Sequence, residues 1–196
     1  MTTAPFYVPT APLEDDELDT ALQQMVVGIT GMDPTLVRPR WQPTVQKQPE
    51  PTVDWCSIGV TTSKPDTNAS IQHLFGDDIT APAGDLEQVH EELEVAVSFL
   101  GPHAKTNLGV LRDGLKIMQN LDPIKLVGLY FKEIGPAQVA PDFINQQWIR
   151  RWDTTMVFRR MVARVYGINN IESAEIDLQD DSSHVNRVIK APPSGR

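Results

Sequence analysis

The fold is decided by the stretch Glu92-Leu93-Glu94-Val95-Ala96-Val97-Ser98-Phe99-Leu100-Gly101-Pro102. Every second residue from Leu93 to Phe99 is apolar, which is the period of a strand that buries one face. Gly101-Pro102 then interrupts the extended chain. The pattern predicts a strand that starts near Leu86 and ends at this glycine-proline turn.

Beyond the turn, apolar residues recur at three- and four-residue spacing, at Leu108, Leu111, Leu115 and Met118. This is the spacing of one helix face. We therefore expect an amphipathic helix over residues 103–120 that folds back on the sheet.

The rest of the chain contributes a second principal helix and further strands. An acidic first turn, an apolar stripe from Leu18 to Ile29 and the glycine at Gly31 predict the helix. Residues 152–166 fit both a strand and a helix, and their β-branched side chains favour a strand. Extended segments are predicted at 36–41, 53–61, 125–132 and 168–178. The segment 125–132 is apolar on both faces, which predicts a central position in the sheet.

These elements predict an α+β fold, in which two principal helices pack on a mixed, mainly antiparallel sheet. The 196 residues suit a single domain over residues 13–179, preceded by an extended arm at 1–12 and followed by a flexible tail at 180–196. We predict a long loop over residues 62–84 that is a candidate for contact with a partner, and within it Ile71–Phe75 could add a short strand. We expect no membrane segment and no secretory leader, so the chain should start life in a cytoplasm.

Signatures of catalysis or metal binding are weak. Cys56 is the only cysteine and lies in an apolar strand, so we interpret it as a buried hydrophobe. The four histidines lack metal-ligand spacing, and Asp77-Asp78 fits an ordinary polar turn better than a cation site. Phosphate-binding and nucleophile motifs are missing from the sequence. We predict no enzyme activity, no cofactor and no metal.

Charge is the feature that bears on function. The formal net charge is −9, which argues against wrapping nucleic acid. A basic island and an acidic patch nevertheless stand apart in the sequence, and we take them as candidate contact residues: Arg150, Arg151, Arg159, Arg160 and Arg164 against Glu91, Glu92 and Glu94. They could be solvated or paired locally, they could join two copies of the chain, or the island could serve a small nucleic-acid-binding module. An uncharacterised hydrolase is a more distant alternative.

Five segments in order resemble the neck terminator proteins of tailed bacteriophages. They are Leu36-Val37-Arg38-Pro39-Arg40-Trp41-Gln42-Pro43, Trp55-Cys56-Ser57-Ile58-Gly59-Val60, the stretch from His90 to Ala104, Leu111-Arg112-Asp113-Gly114-Leu115 with Gln119-Asn120, and Trp148-Ile149-Arg150-Arg151-Trp152-Asp153. The resemblance covers about residues 14–178 and leaves out the loop at 62–84 and both tails.

The resemblance implies a structural virion protein with a tail-terminator-like fold and without catalytic residues. It would form a ring at the phage neck, with six subunits favoured over twelve, that terminates the tail tube, joins it to the head connector and surrounds the DNA channel. Its expected partners are further copies of itself, head connector and adaptor proteins, tail tube or sheath proteins, and genomic DNA that is contacted without sequence specificity. The basic island and the acidic patch are then candidate subunit-interface or DNA-channel residues.

Overall fold

The computed structural model of the chain describes residues 14–42, 44, 47–74, 84–144, 146–167, 175–176 and 189–190. The strands of the main sheet are β1 (Val37–Pro39), β2 (Trp55–Pro65), β3 (Ser70–Leu74), β4 (Gly84–Leu100), β5 (Leu129–Ile134), β6 (Gln138–Val139) and β9 (Arg151–Gly167). Their order is β1-β2-β4-β9-β5, while β3 pairs with β4 and β6 with β9. Strand β1 runs parallel to β2, whereas β2 with β4 and β5 with β9 are antiparallel. The predicted α+β fold with a mixed, mainly antiparallel sheet is confirmed.

The chain divides into two compact units. The larger comprises Thr10–Ser70 and Glu87–Arg164 and includes the helices α1 (Asp15–Thr30), α2 (Ala104–Gly114) and α3 (Met118–Leu126). It also includes a separate hairpin of β7 (Asp142–Ile144) and β8 (Gln147–Ile149). The smaller comprises Met1–Pro9, Ile71–Leu86 and Val165–Arg196. A single domain over 13–179 stays a prediction.

Strand β4 confirms the alternation that opened the sequence. Leu93, Val95, Val97 and Phe99 are at most 1% exposed and lie in the core with residues of α1 and α2. Opposite β4, Ile58 of β2 pairs with Val97 and extends the same buried face. On the other face Ser98 is also buried, and its hydroxyl accepts a hydrogen bond of 2.8 Å from Arg40 Nη2. The strand therefore buries its apolar face against the helices, and on its opposite face it buries the Ser98 hydroxyl, whose hydrogen bond to Arg40 replaces the lost contact with water.

The turn after β4 requires glycine. Gly101 has φ +115°, and a Cβ there would lie 2.6 Å from Asp54 Oδ1 and 2.8 Å from Val53 O. The Asp54 carboxylate accepts hydrogen bonds from the His103 backbone N at 2.7 Å and from its Nδ1 at 2.8 Å. Since His103 directly precedes α2, Asp54 fixes the start of that helix by accepting one of its unpaired N–H groups.

Helix α1 forms as predicted. Its buried residues Leu18, Leu22, Met25 and Val26 pack into the core, and acidic residues occupy its first turn. Gly31 ends the helix with φ +70° and donates a 2.8 Å hydrogen bond to Val27 O.

The single helix predicted over 103–120 is wrong, because α2 ends at Gly114 and α3 begins at Met118. Residues Leu115 to Ile117 form the turn between them, and Asn120 Nδ2 donates a 2.9 Å hydrogen bond to Gly114 O. Helical spacing continues through the turn, so periodicity alone could not reveal the break. Leu115 is buried as expected, but Met118 is 63% exposed.

The strand predicted at 125–132 is confirmed only in its second half, from Leu129 onward, and its predicted central position is wrong. The first part of that segment ends α3, and Gly128, with φ +80°, precedes β5. Strand β5 is an edge of the main sheet, with β9 as its neighbour. The apolar residues from Leu126 to Leu129 belong to the end of a helix and the start of a strand. Read as one segment, they have the same continuous apolar pattern as a strand buried on both faces.

The remaining predictions have mixed outcomes. Residues 151–167 form a strand, as favoured. The loop expected at 62–84 is partly wrong, because β2 continues to Pro65 and β3 occupies Ser70–Leu74, which confirms the short strand suggested there. Residues 75–83, the arm at 1–12 and most of 168–196 lie outside the described residues. Within the last range, β10 (Glu175–Ile176) pairs antiparallel with β11 (Ile189–Lys190), inside the span predicted to be a return strand and a tail.

Candidate functional site

Four of the five arginines of the basic island lie on β9, where they are split between the two faces of the strand. Thr154, Met156, Phe158, Arg160 and Val162 are buried, whereas Arg159 and Met161 between them are exposed. Because side chains alternate along a strand, Arg159 points away from the face that holds Arg160 and Arg164. This separation prevents the three arginines from meeting one groove.

The face of β9 that holds Arg160 and Arg164 forms a charge cluster within the chain. Arg160 Nε donates a hydrogen bond to Glu91 Oε1, and Glu91 Oε2 accepts a 2.8 Å hydrogen bond from Ser63 Oγ. Glu14 Oε1 lies 3.6 Å from Arg160 Nη2 and 3.1 Å from Arg164 Nη2. Arg160 is 8% exposed, so its charge depends on these carboxylates to offset the loss of water. Glu91, predicted as an acidic partner for another copy, thus meets the island in its own chain.

The exposed side carries separate ion pairs. Arg159 Nε lies 2.6 Å from Asp66 Oδ2, and this hydrogen bond lowers the pKa of Asp66. Lys132 Nζ pairs with Glu92, which raises the pKa of Lys132. Both are surface pairs and contribute little to stability individually.

Arg151 and Arg150 differ although they are adjacent. Arg151 contacts Asp153 Oδ1 at 2.8 Å and Asp142 Oδ2 at 3.2 Å, and the hydrogen bond to Asp153 is the main cause of its raised pKa. Arg150 is exposed and donates a 3.4 Å hydrogen bond to Pro102 O. Within the described part of the chain, Arg150 and the exposed Glu94 are the two candidate residues without an ion pair. A role of these charges between copies stays a prediction.

Arg40 and the tryptophans near it line a groove that the sequence pattern does not reveal. The groove has a volume of about 650 Å³ and is lined by Arg38, Arg40, Trp41, Trp55, Asp142 and Arg151, among others. Arg38 lies over the Trp55 ring at 6.0 Å. Leu36 to Trp41 looked merely extended in the sequence, since only tertiary contacts bring it beside Asp142 and Arg151.

Groups with catalytic chemistry do not converge among the described residues. Burial raises the pKa of the Cys56 thiol, although Arg40 opposes the shift, so the thiolate is disfavoured. His103 and His73 each contact one aspartate, Asp54 and Asp85 respectively. The described residues contain no cluster of three or more His, Cys, Asp or Glu side chains that could hold a metal ion. Asp77-Asp78 lies outside them.

Comparison with known proteins identifies a family. A family model described as "Phage neck terminator protein" matches residues 16–182. No curated protein matches the chain. None of the helices in the described part of the chain is long and apolar enough to cross a membrane.

Proposed function

The chain belongs to the phage neck terminator family and is a structural component of the virion, and on this basis we propose that it forms a homo-oligomeric ring at the phage neck. The ring terminates the tail tube, joins it to the head connector and surrounds the channel for genomic DNA. The observation that carries the proposal is the family match, which extends from α1 through β9 and beyond.

The fold and charge of the larger unit are compatible with this role. Its core includes fully buried aromatic rings at Phe99 and Phe158, so each copy can present fixed surfaces to its neighbours. A closed ring needs two different patches on every copy, and rotation from one copy to the next closes the assembly. The resemblance favours six copies over twelve.

A channel wall should not retain DNA. The formal net charge is −9, and four arginines of the basic island already contact carboxylates of their own chain. Since nucleic-acid affinity comes largely from cations that neutralise phosphates, we infer weak, non-specific contact with DNA. The same pairing gives the alternative of a nucleic-acid-binding module little support. We further propose that the protein is not an enzyme.

The ring can be tested by native mass spectrometry and negative-stain imaging of the purified chain over a range of concentrations, and by immunogold labelling of phage particles. We expect closed rings with a central opening, and label at the head–tail junction. A chain that stays monomeric and is missing from that junction would overturn the proposal. Duplex-DNA affinity that is strong and falls steeply with salt would instead favour the nucleic-acid-binding alternative.

A further inference from the structure

The β7–β8 hairpin exposes two aromatic rings side by side. Phe143 pairs with Trp148 across the strands, with ring centroids 5.0 Å apart, and the two residues are 59% and 71% exposed. Gln146, with φ +63°, lies in the turn. Adjacent exposed aromatic rings are the type of surface that binds a partner, since burying them releases a large apolar area from water.

The base of this hairpin is held in place. Ile149 is 4% exposed, and Asp142 is paired with Arg151. The Gly101 backbone N donates a 3.0 Å hydrogen bond to Arg150 O, which ties the end of the hairpin to the turn after β4. The aromatic pair is therefore preorganised, so docking would cost little additional ordering.

A matching concave surface lies between α1 and α3. This groove has a volume of about 220 Å³, and its lining includes Ala21, Gln24, Gly28, Pro123, Ile124 and Val127. A Cβ built at Gly28 would have no atom within 4 Å, so the groove is open above this residue. Ala21 and Gly28 on α1 are small, and Pro123, Ile124 and Val127 opposite them are apolar, so the groove has room for an aromatic side chain.

Charge also distinguishes the two surfaces. Helix α1, one wall of the groove, carries four carboxylates and no lysine or arginine: Asp15, Asp16, Glu17 and Asp19. The one charged residue of the hairpin, Asp142, is paired with Arg151, whereas the exposed Arg150 directly follows β8 and has no ion pair among the described residues. These carboxylates lie at the start of α1, just before the groove lining that begins at Ala21, so an exposed arginine that approaches them favours the correct encounter and orientation of two copies.

We propose that the Phe143–Trp148 hairpin of one copy docks into the α1–α3 groove of the next copy. The inference rests on the proposed ring and identifies its subunit contact. The two surfaces are different patches of one chain, so the contact is head-to-tail and can propagate around a closed ring. Arg150 at the end of the hairpin then approaches the acidic start of α1 of the neighbour.

Two substitutions test the docking from its two sides, with self-association measured by native mass spectrometry and sedimentation. Trp148→Ala removes the projecting ring, and Gly28→Phe fills the groove. Each should weaken association about 30-fold, as expected for a central interface residue worth about 2 kcal/mol. Tyr130→Ala removes a ring that is 55% exposed on β5, and Gly109→Phe fills equally open space on α2. Both controls should change association less than about threefold, within the range of near-neutral surface changes.

Cross-linking tests the same contact directly. In a Trp148→Cys, Gly28→Cys chain treated with a short bis-maleimide, we expect a covalent ladder that ends at the ring size, while buried Cys56 stays unmodified. Trp148→Cys alone should give monomers. Dimers from that single variant, or rings that tolerate Trp148→Ala and Gly28→Phe and give no ladder, would overturn the docking but leave the ring intact. A wild-type chain that forms no rings would overturn both.

Discussion

Gly114 at the end of α2 lies against Ile29 of α1, and Gly114→Ala should destabilise the protein. A Cβ at this position would lie 2.3 Å from Ile29 Cγ2, where ordinary contacts are longer than 3.4 Å. The obstructing methyl group is bonded directly to Ile29 Cβ, itself only 3.6 Å away, so it cannot swing aside as the end of a long side chain would. Overpacking of this kind costs about 1–3 kcal/mol. For a chain of this size, that lowers the melting temperature by roughly 2–4 °C per kcal/mol.

Gly109→Ala is the matched control, because Gly109 lies on the same helix with no atom within 4 Å of a built Cβ. It should stabilise the protein by up to about 1 kcal/mol through helix propensity. Urea unfolding monitored by circular dichroism should give changes in the free energy of unfolding that have opposite signs for the two variants.

A double-mutant cycle locates the clash. Ile29→Ala removes the obstructing methyl and should recover much of the loss caused by Gly114→Ala, whereas Ile29→Val keeps a carbon at both γ positions and should not. A Gly114→Ala variant as stable as Gly109→Ala, or an equal effect of the two substitutions at Ile29, would refute the packing argument.

Two further predictions concern the charge clusters. Glu91→Ala should lower the free energy of unfolding by about 3 kcal/mol, because the buried Arg160 loses a carboxylate. Glu94→Ala, at an exposed position, should change the free energy of unfolding by less than about 0.5 kcal/mol, and equal losses for the two variants in urea unfolding would contradict the prediction. Arg159→Gln should raise the pKa of Asp66, measured by NMR titration, because the Arg159 hydrogen bond holds that pKa down. Since the folded-state pKa is the lower one, this pair stabilises the protein above the unfolded-state value of about 3.9, and the contribution is lost as pH falls through the folded-state pKa. The acid limb of stability should therefore be shallower in the variant, and an unchanged Asp66 pKa would disprove the assignment.

The sequence alone determined the elements whose signals are local. The alternation from Leu93 to Phe99, the glycine-proline turn after it and the α1 stripe that ends at Gly31 each reflect the geometry of a few consecutive residues, and all three are present in the structure. The family resemblance, carried by the same segments, is confirmed by the match to residues 16–182.

Tertiary structure decided what depends on residues distant in sequence. Arg160 and Glu91 are 69 positions apart, so composition could show two opposite charge blocks but not that they meet within one chain. The break at Gly114 and the edge position of β5 follow from packing against α1 and β9, which periodicity does not record. Exposure of Phe143 and Trp148 likewise depends on where the hairpin lies, because a strand's pattern fixes which side chains share a face but not what covers that face.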